Sequence, residues 1–579
     1  MKKIFPKIIP GKQSLFFFFL VYCISAHAQH KNAEPLTLTD PAMDGYLQKK
    51  HPAILTVKII HAPDTITKVP VKCSFVRFGP ALQAPKFYQF DKNGFLKIAV
   101  NDRLPYQQIW LNIEHYLYAG LIINDGLNVT IDAREIKTAD GFYFIDDGVE
   151  YSGVDGELTT VMNKHILYKQ DLKNELVSRF HELARTRKQF GDDVFLSKFD
   201  SVYQALRAIN DEFIVTYPKF KWAIHNQLMA EYLGDLTTAY WFDKMPDSLF
   251  TKINSFSPYF SSNEGVLFYQ YFFNYIIYKK DNPAFSIDDQ LYLNYSNYSS
   301  EQKVTLDSLK YYTRLPEAEN KDALNRFYKK RQELLLGEMV KINTDHLLHL
   351  IDSFYAPPKS DILKTFLLDK GKIEFATTYP EIIKTMQTKW CRNIASMELK
   401  QATLKQKQID SLLAKGTRIK ENNLFIGKPL GSLTFNANLY RLDSVKNLDE
   451  FIIHLKSKFP NKALVIDFWA TWCAPCLKEL PVSKKLQEDN KDLPIVFIYI
   501  CTNSSSNVTV WKNKIAGLQI PGEHIFADDK LVSELQSKFN TERGFPTYVV
   551  IDATGKLKPK AIEWIHLLDR DKLKLAVGL

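Results

Sequence analysis

The stretch Ala463–Pro481, ALVIDFWATWCAPCLKELP, contains two cysteines, Cys473 and Cys476, with two residues between them. The apolar run before the pair predicts a buried strand over Ala463–Phe468, because it is short and rich in β-branched and aromatic residues. The spacing of apolar residues after the pair predicts a helix over Cys476–Asp489. The cysteine pair therefore lies where a buried strand becomes a helix.

The position of the pair favours thiol–disulfide exchange. The reactive form of cysteine is the thiolate, and the unpaired N–H groups and dipole at a helix N-terminus favour negative charge there. Cys473 is therefore the predicted nucleophile, and Cys476, one turn further along, is placed to resolve the mixed disulfide. Pro475 fits the first helical turn, where its missing N–H is harmless.

Two structural alternatives explain such a pair without catalysis. A structural zinc site needs four ligands, and no second C-x-x-C or H-x-x-x-H pattern lies near Cys473. A structural disulfide across two residues closes a very small loop and stabilises a fold little. The sequence therefore favours a redox-active disulfide between Cys473 and Cys476, with no metal and no cofactor.

The residues around the pair resemble a known family. Val465–Pro481 is similar to the active-site strand and helix of the TlpA/ResA-like thioredoxins, and Gly544–Thr547, Gly-Phe-Pro-Thr, resembles their Gly-x-Pro-Thr loop. The resemblance covers Gly427–Leu579. It implies an α/β thioredoxin fold for that part of the chain and the activity of a thiol–disulfide oxidoreductase.

The resemblance also implies catalytic roles for individual residues. Pro546 would be a cis proline beside the cysteine pair, and the backbone of Phe545 would pair with the substrate. Asp467 matches a buried acid beneath the motif that relays a proton to or from the resolving cysteine. Burial would raise the pKa of this carboxyl and suit it to general base catalysis near neutrality. A solvated aspartate at the end of a strand is the alternative for Asp467.

The predicted substrate groove comprises Trp472, Ala474, Pro475 and Phe545. Trp472 would shield the cysteine pair, with plain packing as the alternative. The Ala-Pro dipeptide between the cysteines departs from the Gly-Pro of common thioredoxin and influences the redox potential, so the direction of electron transfer stays open. A peroxiredoxin is excluded, because that family needs Pro and Thr at set positions before its cysteine, where this chain has Ile and Ala.

Three further cysteines are expected to be structural. Cys501 ends the strand after the active-site helix and is predicted to be a small buried hydrophobic residue, with redox contact as the alternative. Cys73 on a predicted strand and Cys391 on a predicted helix are expected in hydrophobic cores. A chain of this length with so few cysteines is not held together by disulfides.

The first 28 residues have the pattern of an export signal. A basic start precedes the apolar stretch Leu15–Ile24, and Ala26 and Ala28 fit an A-x-A cleavage site. The apolar stretch is short for a membrane span. Lipidation of Cys23 is the alternative, although the bulky Tyr22 disfavours it. We therefore expect cleavage, a mature chain without a transmembrane span, and a location in the periplasm or cell envelope.

The charge of the chain gives no reason to expect a nucleic-acid partner. The net charge of +10 includes Lys2, Lys3, Lys7 and Lys12 of the predicted signal, which leaves +6 for the mature chain. No compact block of Lys and Arg and no nucleic-acid motif is present. The expected partners are protein disulfide or thiol substrates and an upstream membrane electron donor.

The length of the chain, and the way its pattern of apolar residues changes along it, predict a multidomain protein. After the signal at 1–28, short apolar runs between turn residues predict an all-β N-terminal module over 29–155, and helical spacing predicts an α-helical middle domain over 156–420. Alternating strands and helices over 421–579 predict the α/β thioredoxin fold. Its predicted strands are a hairpin of Leu433–Phe435 and Leu439–Leu442, followed by Ala463–Phe468, Pro494–Cys501 and Thr547–Ile551. The predicted strands of the N-terminal module are Ile54–Ile60, Val71–Phe78, Phe95–Val100, Gln108–Ile113 and Val129–Ile131.

The first 400 residues contain no Ser/His/Asp signature, phosphate loop or metal cluster. Their architecture resembles the N-terminal extensions of exported thioredoxin-like proteins of Bacteroidetes, which implies a role in positioning the redox domain or recognising partners. The predicted function is an extracytoplasmic thiol–disulfide oxidoreductase that reduces protein disulfides. The alternatives are a disulfide oxidase or isomerase, or a binding protein whose thioredoxin unit is mainly scaffold.

Overall fold

A computed structural model describes most of the chain in two compact units. The first unit comprises the described residues up to Leu293 together with Gly337–Leu399, and the second comprises Asn294–Leu336 together with Lys400–Leu579. The predicted signal peptide, with Cys23, lies outside the described residues. The described residues are 52–79, 82–102, 104, 106–136, 148–241, 243–258, 260–278, 285–368, 377–419, 426–541 and 544–579.

The first unit begins with eight strands in two four-stranded sheets. They are β1 (Ala53–Ile60), β2 (Val71–Val76), β3 (Gln83–Tyr88), β4 (Phe95–Val100), β5 (Gln108–Ile113), β6 (Leu117–Ile122), β7 (Gly126–Asp132) and β8 (Val149–Ser152). The strand order is β4-β1-β7-β8 in one sheet and β3-β2-β5-β6 in the other. Both sheets contribute to one hydrophobic core, which includes Leu55, Cys73, Leu111 and Val129. The predicted all-β module is therefore a small sandwich.

The strand prediction was incomplete in this module. It missed β3, β6 and β8, because β3 contains a proline and exposed residues and β6 has Gly120 at its centre, and both features weaken the strand pattern. The predicted strand Val71–Phe78 was two residues too long. The observed strand ends before Arg77, whose side chain turns inward to form a buried ion pair with Asp102.

Helices form the middle of the chain, as predicted. They are α1 (Gly156–Thr186), α2 (Asp192–Thr216), α3 (Lys221–Ala239), α4 (Asp247–Ser255), α5 (Asn263–Tyr278), α6 (Ile287–Leu293), α7 (Ser300–Tyr312), α8 (Glu317–Phe354), α9 (Lys359–Thr365), α10 (Tyr379–Thr385) and α11 (Lys389–Ala414). Within the described part of the chain, no helix is both long and apolar enough to span a membrane.

The second unit contains a seven-stranded mixed sheet with helices between its strands. Its strands are β9 (Lys428–Leu433), β10 (Ala437–Leu442), β11 (Ala463–Trp469), β12 (Ile495–Thr502), β13 (Gly522–Ala527), β14 (Thr547–Ile551) and β15 (Leu557–Pro559). Its helices are α12 (Leu448–Ser457), α13 (Ala474–Asp489), α14 (Val508–Leu518), α15 (Asp529–Lys538) and α16 (Arg570–Val577). The strand order is β15-β14-β11-β12-β13-β10-β9. The predicted fold class, an all-β module, a helical middle and a C-terminal α/β domain, is confirmed.

Two details of the C-terminal sheet differ from the prediction. The predicted strand Leu433–Phe435 is a turn after its first residue, because β9 ends at Leu433 and Asn436 takes up a left-handed conformation with φ of 60°. Strand β13 was missed. It contains a charged and a titratable residue, Glu523 and His524, and both are buried by the neighbouring strands.

Candidate functional site

Strand β11 comes shortly before the cysteine pair in the chain. All seven of its side chains are buried, as expected for a strand covered on both faces. It pairs in parallel with β12 and antiparallel with β14, so it lies inside the sheet. The chain leaves β11 at Trp469 and enters α13 at Ala474, which places the cysteine pair at the carboxyl end of an interior strand.

The two cysteines form a disulfide across the first turn of α13. Cys473 is the N-cap residue, its Cα lies 5.3 Å from that of Cys476, and its Sγ accepts a hydrogen bond from the Cys476 backbone N–H at 3.2 Å. Pro475 lies within the first turn, where no intrahelical donor is needed. Cys473 is 4% exposed and Cys476 is 1% exposed. An incoming thiolate therefore reaches Cys473 more readily, and the helix N-terminus favours negative charge on its sulfur.

The loop before β14 lies beside the end of β11. The peptide between Phe545 and Pro546 is cis. Thr547 pairs with Phe468 across the sheet, so Pro546 comes directly after the last paired position, next to the point where β11 leads to the cysteines. The Gly544 carbonyl accepts hydrogen bonds from the Gln536 side chain at 3.0 Å and from Thr547 Oγ1 at 2.8 Å, and these bonds hold the loop.

An apolar surface surrounds the disulfide. Trp472 is 53% exposed, and its indole N–H donates a hydrogen bond to the Ser504 carbonyl at 2.8 Å, which fixes the ring. The Phe545 ring meets the Trp472 ring edge-on, with 6.0 Å between the ring centroids. Ala474 and Pro475 are exposed in the same turn as the disulfide. The four residues predicted as a substrate groove form an apolar patch at the disulfide, in which Trp472, Ala474 and Pro475 are exposed and Phe545 is half-buried.

Asp467 lies on β11, in the interior of the sheet, six residues before Cys473. It is only 3% exposed, so the alternative of a solvated strand-end aspartate is wrong. Its register partners are Tyr499 on β12 and Tyr548 on β14. Because residues opposite each other share a face of the sheet, these two tyrosines flank its side chain. Oδ1 of Asp467 has no hydrogen-bond partner among the described residues.

The surroundings of Asp467 favour its neutral form. Burial, and after it the charge of Glu479, raise the pKa of Asp467 to about 8. Burial also raises the pKa of Tyr548, with smaller contributions from the charges of Asp467 and Glu479. A carboxyl group with such a pKa exchanges its proton near neutrality, as a general acid or base requires.

Glu479 is a functional candidate that the sequence reasoning missed. Its side chain is 8% exposed, Oε2 accepts the backbone N–H of His566 at 3.0 Å, and Oε1 lies 2.7 Å from His566 Nδ1. One signal for Glu479 was present in the sequence: it follows Cys476 by three residues, so both lie on the same face of α13. His566 is 87 residues away from Glu479 along the chain, and no local pattern connects the two.

The other described cysteines are buried single thiols, as predicted. Burial raises the pKa of Cys73 to about 12 and the pKa of Cys501 well above its ordinary value. Cys501 lies on β12 opposite Trp469, and its Sγ is 3.4 Å from the Thr502 carbonyl. Such thiols are mostly protonated and unreactive at neutral pH. Within the described residues, no group of three or more His, Cys, Asp or Glu side chains is arranged to hold a metal ion.

Comparison with known proteins yields matches to redox proteins. A family model described as Redoxin matches residues 445–565. A thioredoxin of Coprinus comatus is 33% identical over 93 residues, which are 16% of this chain and 80% of that protein. Mitochondrial thioredoxin-3 of Saccharomyces cerevisiae is 38% identical over 69 residues, which are 12% of this chain and 52% of that protein. The chain thus spans four fifths of the first relative and about half of the second.

Solved structures give similar matches. The thioredoxin domain of a thiol–disulfide oxidoreductase from Bacteroides vulgatus is 24% identical, with a TM-score of 0.18, over 21% of this chain and 81% of that chain. A thiol:disulfide interchange protein of the thioredoxin family from Chlorobium tepidum is 26% identical, with a TM-score of 0.19, over 21% of this chain and 85% of that chain.

Proposed function

Because the chain belongs to the thioredoxin family and is a thiol–disulfide oxidoreductase, we propose that it reduces disulfides of other proteins outside the cytoplasm. We place it with the TlpA/ResA-like thioredoxins, on the two motifs around Cys473 and Pro546. The proposed location is the periplasm or cell envelope, supported by the export pattern of residues 1–28. A membrane-bound dithiol donor would return the protein to its reduced form.

One observation carries the proposal: a disulfide at a helix N-terminus within an exposed apolar patch. The cysteine sulfurs are almost wholly buried, whereas Trp472 and Pro475 beside them are exposed. A small thiol needs no such patch, but an unfolded or extended protein segment gains affinity by covering apolar side chains. The geometry therefore favours a polypeptide substrate.

The proposed cycle transfers two electrons from the reduced pair to the substrate, with one proton supplied by Cys476 and one by solvent. The Cys473 thiolate attacks a substrate disulfide, forming a mixed disulfide and expelling one substrate thiolate, which takes up a proton. Cys476 gives its proton to the Asp467 carboxylate, and its thiolate attacks the Cys473 sulfur. The second substrate thiolate leaves and is protonated, the enzyme pair is oxidised to the disulfide, and the substrate disulfide is reduced. An external dithiol then reverses these steps on the enzyme.

A redox titration of the purified mature chain tests the direction of transfer. The chain is equilibrated with dithiothreitol or glutathione at set ratios, and alkylation of Cys473 and Cys476 is read by mass spectrometry. A potential near that of thioredoxin, about −270 mV, would support a reductase. A value near −120 mV would make the protein an oxidant and refute the proposed direction. Cys73 serves as the internal control, because a buried single thiol does not titrate with the pair.

Cell fractionation tests the proposed location separately. The full chain is expressed in a Gram-negative host, and the mass of the protein from the periplasmic and membrane fractions is measured. We expect a product shortened by 28 residues that is absent from the cytoplasmic fraction. A full-length cytoplasmic product would contradict export. A mass that fits a lipid on Cys23 would replace cleavage at Ala28 by lipidation.

A further inference from the structure

The buried carboxylate of Glu479, one turn after Cys476 on α13, is bonded by a partly exposed residue, His566. Both oxygens of Glu479 are bound by His566, Oε2 by the backbone N–H and Oε1 by the imidazole. The Glu479 side chain is 8% exposed, whereas that of His566 is 51% exposed. His566 belongs to the 3₁₀ turn Ile565–Leu567, far from the cysteines along the chain. The imidazole therefore contacts buried Glu479 through Nδ1, while half of the His566 side chain remains open to solvent.

The remaining neighbours of the cluster are acids and tyrosines. The charge that raises the pKa of Asp467, after burial, is that of Glu479 on α13. The groups that act on Tyr548 of β14 are Asp467, Glu479 and Tyr499 of β12. No lysine or arginine is among these charged neighbours. Of the described groups in contact with Glu479 or acting on these residues, His566 is the one that is able to carry a positive charge.

We propose that His566 is a positioning residue for thiol–disulfide exchange, and that its contact with Glu479 controls proton exchange between the buried Asp467 and solvent. This inference rests on the proposed function, because it assigns a role within the exchange cycle. His566 does not contact the reacting sulfurs in this scheme. It acts through Glu479, which it holds in place by two hydrogen bonds.

The chemistry of the cycle requires such a contact. In each turnover Asp467 takes one proton from Cys476, and that proton has to reach water before the carboxylate is ready again. Asp467 is too deeply buried to exchange with water directly. Two hydrogen bonds from His566 fix both oxygens of Glu479, the residue whose charge acts on Asp467. Half of the His566 side chain faces solvent, so this contact links the buried carboxylates to water.

The test measures single-turnover reduction of a model disulfide, 5,5′-dithiobis(2-nitrobenzoate), by the reduced full-length chain from pH 5 to pH 10. The variants are His566→Ala, Glu479→Gln and the double variant, which form a mutant cycle. His566→Asn retains a side-chain N–H donor but does not titrate in this range. The matched control is His454→Ala, which removes another partly exposed histidine beside a glutamate, Glu450, in the same unit.

We expect the midpoint of the pH profile to move toward lower pH in Glu479→Gln, because a negative neighbour of Asp467 is lost. His566→Ala should move it in the same direction by about half a pH unit, which is about a threefold change in rate below the midpoint. In the Glu479→Gln background the His566 substitution should add no further shift. His566→Asn should keep the wild-type midpoint and melting temperature, because its side-chain N–H still holds Glu479 in place.

Two results would overturn the inference. One is a His566→Ala profile that superimposes on those of wild type and His454→Ala, while wild type turns over normally. The other is an equal shift from His566→Ala with and without Glu479, since His566 would then act by another route. If wild type itself failed to reduce the model disulfide, the proposed function would fail, and that result is distinct from the first two. A fall in melting temperature with an unchanged midpoint would assign His566 a merely structural role.

Discussion

Each unit of the molecule buries an aspartate near a cysteine, and the two sites differ in how the charge is compensated. In the first unit, Oδ2 of Asp361 accepts the backbone N–H groups of Gln387 at 2.8 Å and Thr388 at 2.5 Å. Nζ of Lys364 lies 3.6 Å from Oδ1. Burial, and after it the charge of Asp361, raise the pKa of Cys391 well above its ordinary value. The negative charge of Asp361 is therefore compensated by these donors and by Lys364, and the buried thiol of Cys391 is unreactive at neutral pH.

The site in the second unit has the opposite character. Oδ1 of Asp467 has no hydrogen-bond partner among the described residues, and the charge that acts on it is another acid, Glu479. The cysteines are not deep in a core but begin a helix, with Trp472 exposed beside them. A buried acid beside a lysine and two backbone N–H donors stabilises a fold, whereas a buried acid beside a like charge has a raised pKa that suits it to proton transfer.

The largest expected effect separates the cysteines of the two sites. Cys473→Ser should reduce disulfide-exchange activity to the background rate, because it removes the nucleophile. Cys391→Ala should leave the rate unchanged and lower the unfolding free energy of its unit by about 1 kcal/mol, through lost burial. Turnover of a protein disulfide and thermal unfolding are measured on both variants. Activity that survives in Cys473→Ser would show that the exchange chemistry resides elsewhere.

The next effect separates the two aspartates. Asp467→Asn should slow the resolving step at pH 7 by about 100-fold, the size of a lost general base, without loss of thermal stability. Asp361→Asn should cost about 3 kcal/mol in stability, because it breaks a buried ion pair, with activity per folded molecule unchanged. Stopped-flow release of substrate from the mixed disulfide measures the first, and calorimetry measures the second. If Asp467→Asn instead lowered stability and Asp361→Asn slowed the resolving step, the proposed difference between the two buried acids would be wrong.

A smaller effect appears in the pH dependence of stability. The pKa of Asp467 in the folded protein is about 8, above its ordinary value of 3.8. Between these values the folded state holds a proton that the unfolded state has lost, so this group makes stability fall as pH rises from about 4 to about 8. The slope is at most about 1.4 kcal/mol per pH unit. In Asp467→Asn the free energy of unfolding should not fall in this way as pH rises. Calorimetric scans of the variant and of wild type at several pH values measure the difference.

The smallest expected effect concerns the apolar patch. Trp472→Ala should raise the KM for a protein disulfide about fivefold, the size of one lost interface contact, and should leave reduction of a small disulfide unchanged. Steady-state kinetics with both substrates measure the difference. An equal loss with both substrates would instead assign Trp472 to holding the active-site turn through its hydrogen bond to Ser504.

Local sequence patterns predicted the parts of the site that lie next to each other in the chain. The apolar run before Cys473 predicted β11, and the periodicity after it predicted α13, because strand and helix periods are properties of neighbouring residues. Asp467 and Pro546 came from the family resemblance. The structure buries Asp467 within β11 and places Pro546, after a cis peptide bond, in the loop before β14. The catalytic roles of both residues stay predictions.

Other features depended on contacts that no local pattern encodes. His566 reaches Glu479 only because the chain after β15 returns to α13. Strand β13 was missed because its buried Glu523 and His524 look like surface residues in sequence. The compensation of Asp361 by Lys364 and two backbone N–H groups also became visible only in the structure.

The protonation state of Asp467 is the most direct test of the contrast between the two buried acids. Infrared difference spectra between wild type and Asp467→Asn, recorded on the oxidised full-length chain from pH 5 to pH 10, isolate the carboxylic acid band of this residue. We expect a protonated carboxyl at pH 7 that disappears with a midpoint near pH 8. A midpoint near pH 4 would show that burial leaves the pKa of Asp467 at its ordinary value, and would contradict the assignment of Asp467 as the proton acceptor for Cys476.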